Sequence, residues 1–172
     1  LEFLKSREII QFKNLEELIL FGASAGALGS FIHSKNFEEM VSPSTRKFLI
    51  ADSPGLHFGK SFWQKFTPSM RRDFKFAFAK VNIDIDFNKG LVADQFDKVC
   101  DTLEDWKIGI LQGTRDIVMT YIFGEIEADK HRELVYGPSG IYQTILNSKN
   151  CASFIPDTRM HTFLLLNPST KI

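Results

Sequence analysis

Apolar and polar residues follow two different periods along this chain, and the switches between them mark out its elements. Leu1, Leu4, Ile9 and Phe12 are apolar with Lys5, Arg7 and Glu8 between them, a spacing that predicts a helix ending near Lys13-Asn14. Leu18-Ile19-Leu20-Phe21 is instead a short unbroken apolar run, as in a buried strand. Similar runs at 47–51, 108–112 and 151–155 predict three more strands, each closed by turn-forming residues. Helices are expected at about 25–37, from Ile117 toward Phe123, and over 141–146. Phe96, Val99 and Leu103 also share one helical face. The stretch from Ser69 to Asp101 is charged and aromatic. Ile83, Ile85 and Phe87 alternate there as a strand would, but helices of a peripheral cap are the expectation. Strands that alternate with helices predict an α/β fold with a mostly parallel sheet and helices on both faces, a three-layer α/β/α arrangement in one domain.

The first strand leads directly into Gly22-Ala23-Ser24-Ala25-Gly26. Strand, G-x-S-x-G turn, then helix is the layout of a nucleophile elbow, in which a strained turn lifts a serine hydroxyl off the sheet. The bland alternative is a glycine-rich turn that only packs a helix on the sheet. Chemistry separates the two, because a serine hydroxyl is a weak nucleophile until an imidazole accepts its proton and a carboxylate orients that imidazole. Parallel sheets gather such groups at the carboxyl ends of their strands. Asp116 follows the third strand after Gly113-Thr114-Arg115, and His161 lies beyond the fourth strand, before the apolar run 162–166. Ser24, Asp116 and His161 thus occur in the order nucleophile, acid, base that an α/β-hydrolase requires. The Ala25 N–H, at the start of the next helix, is the expected oxyanion donor.

Other roles stay open for several of these residues. Asp116 could simply cap the helix from Ile117, and His161 could be a surface loop histidine. Asp52, after the second strand, is a rival acid and His57 a rival base. The loop 54–63 carries His57, Phe58, Phe62 and Trp63, either a wall for an acyl group or ring or an apolar plug under a surface loop. His33 is expected to pack or face solvent, and Glu125, Glu127 and His131 read as a solvated helical face. Asp84 and Asp86 lack the glycine-centred loop and later bidentate Glu of a calcium site.

Composition narrows the classes further. The 172 residues suffice for one domain, and 17 of them are Phe. Lys and Arg balance Asp and Glu at 21 each, which leaves no electrostatic footprint for nucleic acid. No apolar run reaches the about 20 residues that span a bilayer. Two cysteines, Cys100 and Cys151, allow a disulfide or two buried thiols, with free thiols the expectation. A start on Leu1, without an initiator Met or a charged-then-apolar leader, suggests a fragment or processed product.

Gly22-Ala23-Ser24-Ala25-Gly26, Ala51-Asp52, Gln112-Gly113-Thr114-Arg115-Asp116 and Arg159-Met160-His161-Thr162-Phe163 together resemble the pectin acetylesterase / Notum family of carboxylesterases. The match spreads over most of the chain, and the elbow and the His161 region are its specific parts. It implies Ser24 as nucleophile, Asp116 as acid, His161 as base and Ala25 as an oxyanion donor. It also implies a small-molecule or carbohydrate ester as substrate, no metal or organic cofactor, and a secreted or periplasmic setting. Asp52, His57, Phe58 and Trp63 are taken as substrate-binding candidates. The chain departs from the family at Ala27, where a second glycine is usual, and its two cysteines fit a bacterial member. The family's other oxyanion donors come from a glycine-rich loop ahead of the elbow, and nothing before Leu15 can supply one. The expectation is therefore the C-terminal portion of an α/β-hydrolase fold, without its N-terminal strands and oxyanion loop.

Overall fold

The computed structural model of the chain describes residues 10–123 and 125–164. The helix expected over Leu1 to Phe12 lies largely outside them, as does the end of the apolar run 162–166. Four strands form one sheet: β1 (Glu17–Ala23), β2 (Arg46–Asp52), β3 (Trp106–Leu111) and β4 (Cys151–Phe154). They run in chain order and every pair is parallel. The helices are α1 (Ala25–Met40), α2 (Pro68–Ala79), α3 (Phe96–Thr102), α4 (Ala128–Tyr136) and α5 (Ile141–Ile145). None is long and apolar enough to cross a membrane.

Parallel neighbours joined in chain order by right-handed crossovers place their connecting helices on the same face, and the side chains agree. Leu49, Ala51, Trp106, Ile108 and Ile110 point to the covered face and are buried. Helix α1 lies there, with Ala27, Phe31 and Ser34 as its buried stripe and Glu38 accepting from Trp106 Nε1 at 3.2 Å. Phe31 of α1 meets Phe96 of α3 edge to face, with centroids 4.9 Å apart. On the opposite face Ile19 is 58% and Phe154 59% exposed, and Phe21 is exposed as well. Among the described residues this face carries no helical cover, so the helices described lie on one face where both were expected. An apolar strand run marks a strand that can be buried on both faces, not one that is.

The stretch 80–91, expected to be helical, is an irregular loop that buries Val81, Ile83 and Ile85. Alternation there reflects a chain lying along the core, outside any ladder. Helix α2 before it starts on Thr67, whose side chain accepts from Met70 N at 3.3 Å, with Pro68 in the first turn. Cys100 and Cys151 are joined as a disulfide, against the expectation of free thiols, tying α3 to the start of β4 across 51 residues. A closed loop of that length constrains the unfolded chain by about 4 kcal/mol in the chain-entropy picture.

Candidate active site

The carboxyl edge of the sheet assembles the site. After each strand the chain continues the ladder onto the next element: Ser24 N donates to Asp52 O and Ser53 N to Leu111 O, both at 2.8 Å, and Gln112 N to Phe154 O at 3.0 Å. Ser24 sits between β1 and α1 with φ at 55°, a region that non-glycine residues rarely occupy. Such a turn also needs Gly22, because a Cβ there would lie 2.1 Å from Gly26 O and 2.8 Å from Ala27 Cα. The Ser24 side chain does not cap its own helix. As the first residue of α1, Ala25 offers one of the N–H groups that a helix leaves without an intrahelical acceptor. Two further non-glycine residues with positive φ, Ser53 at 55° and Thr162 at 67°, lie on the same edge. Strained backbone concentrated in this way is characteristic of functional sites.

Asp116 and His161 meet. His161 Nδ1 lies 2.7 Å from Asp116 Oδ2 in a carboxylate that is completely buried. A carboxylate accepts, so Nδ1–H donates to Oδ2, and in the neutral tautomer with its proton on Nδ1 the lone pair is on Nε2. That Nε2 is buried and has no hydrogen-bond partner among the described residues. Asp116 is held by more than His161. Its Oδ1 accepts from Val118 N at 2.9 Å and Met119 N at 3.1 Å, and Gln112 Nε2 donates to Oδ2 at 3.2 Å. It therefore caps the turn of π-helix at Val118–Phe123 and also bonds the imidazole of His161.

Ser24 and the His161 loop are tied to one anchor, Asp52-Ser53. Besides accepting from Ser24 N through its carbonyl, Asp52 accepts at Oδ2 from the N–H groups of Phe163 and Leu164, both at 2.7 Å. Ser53 Oγ accepts from Thr162 N at 2.9 Å and donates to Asp52 Oδ1 at 3.2 Å. No hydrogen bond joins Ser24 Oγ to His161 Nε2.

The structure places all four substrate-binding candidates, Asp52, His57, Phe58 and Trp63, in the interior. Asp52 is fully buried with its carboxylate engaged by the His161 loop, which makes it a structural anchor. His57 is also fully buried and accepts from Ile141 N at 3.3 Å. Burial first, and the charge of His131 second, push its imidazole well below the usual 6.5, which keeps it neutral. Phe58 stacks on Phe62 at 3.9 Å and meets Trp63 edge to face, all three inside the core. The loop is thus the apolar plug, because aromatic area this large is most stable out of water. His131, read as part of a solvated face, is fully buried, its Nδ1 2.6 Å from the Thr114 carbonyl, and burial lowers its pKa. His33 is exposed on α1, as expected.

Residues that the sequence did not single out form bonds around the pair: Gln112 donates to Asp116, Ser53 accepts from Thr162 N, and Thr114 donates to Asp157. Position at the ends of strands was the one signal available for them. A cleft of about 660 Å³ opens beside the loops of Asp116 and His161, lined by Arg115, Ile117, Thr120, Tyr121 and Arg159 among others. Ser24 is not part of its wall. Comparisons of the chain with models of protein families, with curated proteins and with solved structures gave no match.

Proposed function

We propose that this protein is a serine carboxylester hydrolase on an α/β-hydrolase scaffold, acting through an acyl-serine intermediate. One observation carries the reading: the buried Asp116–His161 pair at 2.7 Å, with Nε2 unpartnered, on the same strand edge as the strained Ser24 turn. Ser24 Oγ attacks the ester carbonyl while His161 Nε2 takes its proton. Asp116 stabilises the imidazolium, and the Ala25 N–H donates to the oxyanion. Collapse breaks the bond to the alcohol oxygen, which leaves with the proton from His161. Water activated by the same imidazole then releases the acid. The resemblance to pectin acetylesterases favours O-acetyl or other short acyl esters, of carbohydrates among other alcohols. The cleft near the Asp116 and His161 loops is lined by apolar Ile117, Tyr121 and Ile126 and by charges of both signs, Arg115 and Arg159 with Glu125 and Glu127. The Cys100–Cys151 disulfide suits an oxidising compartment.

Two measurements test this. Full-length protein is expected to hydrolyse an acetyl ester reporter and to be labelled at Ser24 by a fluorophosphonate, and Ser24→Ala is expected to do neither. Equal rates for the two proteins would sink the assignment. A second reading, a binding protein that kept the fold and lost turnover, is favoured by the missing bond between Ser24 and His161. An unlabelled Ser24 in folded protein would select it.

A further inference from the structure

The loop after β3 and the loop after β4 are zipped together. Thr114 N donates to Pro156 O at 3.2 Å, and Arg115 N to Thr158 O and Ile117 N to Arg159 O, both at 3.0 Å. The approach is as close as backbone allows, since a Cβ on Gly113 would lie 2.5 Å from Met160 O. This pairing ends at Arg159, two residues short of His161.

We propose that Asp157 is a positioning residue: with Thr114 and Arg115 it cross-links the acid loop to the base loop and so holds His161 against Asp116. The proposal rests on reading Asp116 and His161 as the working pair. Asp157 Oδ1 accepts from Thr114 Oγ1 and from Arg115 Nη1, both at 2.6 Å, with Arg132 Nε 4.0 Å away. Both donors stand on the acid loop and the acceptor stands on the base loop, so each bond crosses between them. Arg115 also reaches Asp129 of α4 through Nε at 3.0 Å. Helix α4 supports the junction from below, where His131 Nδ1–H donates to the Thr114 carbonyl at 2.6 Å. Thr114 is fully buried, and its N–H, C=O and hydroxyl are all engaged. The Thr114 hydroxyl first, and Arg115 second, hold the Asp157 carboxyl below the usual carboxylate range, so the acceptor is charged at neutral pH.

An exposed ion pair by itself contributes little. This one differs because one carboxylate oxygen collects a buried hydroxyl and a guanidinium at a junction of two functional loops. Removing the carboxylate leaves the buried Thr114 hydroxyl without its acceptor and loosens the start of the base loop, whose far side stays held at Thr162, Phe163 and Leu164 by Asp52-Ser53.

The experiment uses the full chain and two readouts. One is the far-downfield Nδ1 proton of His161, identified by its loss in His161→Gln, and its exchange with water. The other is steady-state hydrolysis of an acetyl ester reporter. Asp157→Ala, a half-exposed surface change, is expected to fold with a wild-type circular dichroism spectrum. Exchange of the His161 proton should be about tenfold faster, as expected for loss of a charge-assisted hydrogen bond. The kcat should fall about tenfold, with KM changed by no more than about twofold. Thr114→Val should speed exchange likewise, and Thr114→Ser, which keeps the hydroxyl, should retain the slow exchange. Unchanged exchange of the His161 proton in folded Asp157→Ala overturns the proposal. Wild-type protein without hydrolysis or Ser24 labelling would overturn the esterase reading instead, and proton exchange would still decide the role of Asp157.

Discussion

Replacing Asp52 with Asn tests whether this residue anchors the His161 loop or touches substrate. The side chain is fully buried at the end of β2, and Oδ2 takes the N–H groups of Phe163 and Leu164 at 2.7 Å each. Asn has the same shape and keeps one carbonyl oxygen for both amides but loses the charge. Hydrogen bonds to charged groups contribute about 1.5–3 kcal/mol, and neutral ones about 0.5–1.5, so the two bonds together lose about 2 kcal/mol. With a urea m-value of about 2 kcal/mol/M, the unfolding midpoint falls by roughly 1 M at unchanged m. The same loosening displaces His161, so kcat for an acetyl ester reporter falls while KM holds within about twofold. A residue that contacted substrate would behave in the opposite way, raising KM and leaving the midpoint in place. Urea unfolding followed by tryptophan fluorescence, beside steady-state kinetics, separates the two. An Asn variant with the wild-type urea midpoint refutes the anchoring argument.

Two further changes probe the site from other sides. Gly22→Ala puts a Cβ 2.1 Å from Gly26 O, so α1 must shift; the expected cost is about 1–3 kcal/mol in thermal unfolding, with loss of Ser24 labelling, and unaltered unfolding would show that the turn tolerates a side chain. Buried His57 and His131 titrate below the usual 6.5 in the folded chain. The unfolded chain therefore binds more protons, and stability is lost as pH falls through about 6.5 toward the folded pKa values, each histidine contributing a slope of up to about 1.4 kcal/mol per pH unit. His57→Gln is expected to flatten that acid limb, read as urea midpoints across the range, and an equally steep limb would refute the assignment of His57 to it.

Much of the frame was legible because it depends on local chemistry. The apolar runs at Leu18-Ile19-Leu20-Phe21 and 47–51 placed β1 and β2 to within two residues at either end, and alternation with helices implied parallel pairing. Gly22 and Ser24 announced a tight turn through residue type alone. The triad candidates were read from position, since residues after parallel strands share one edge. Other readings failed where burial decides. Phe58 and Trp63 as a substrate wall, and His131 as a solvated face, were plausible by composition, but all three lie in the core. Nothing in a linear string tells an aromatic plug from an aromatic wall, because the two differ only in what covers them. The disulfide was equally hidden, since Cys100 and Cys151 are 51 residues apart and only the packing of α3 against the start of β4 brings them together.

What the sequence determined by itself is the set of short-range choices: four strands, the tight turn at Ser24, and the chain order of Ser24, Asp116 and His161. Apolar periodicity and glycine conformational freedom act over a few residues and need no partner. Tertiary structure alone decided which polar groups meet. It gave Asp116 to His161, turned Asp52 from a substrate candidate into the anchor of the base loop, and left the Ile19 face of the sheet half-exposed. Hydrogen bonds between side chains distant in sequence depend on ångström-scale approach, and only the packed fold sets those distances.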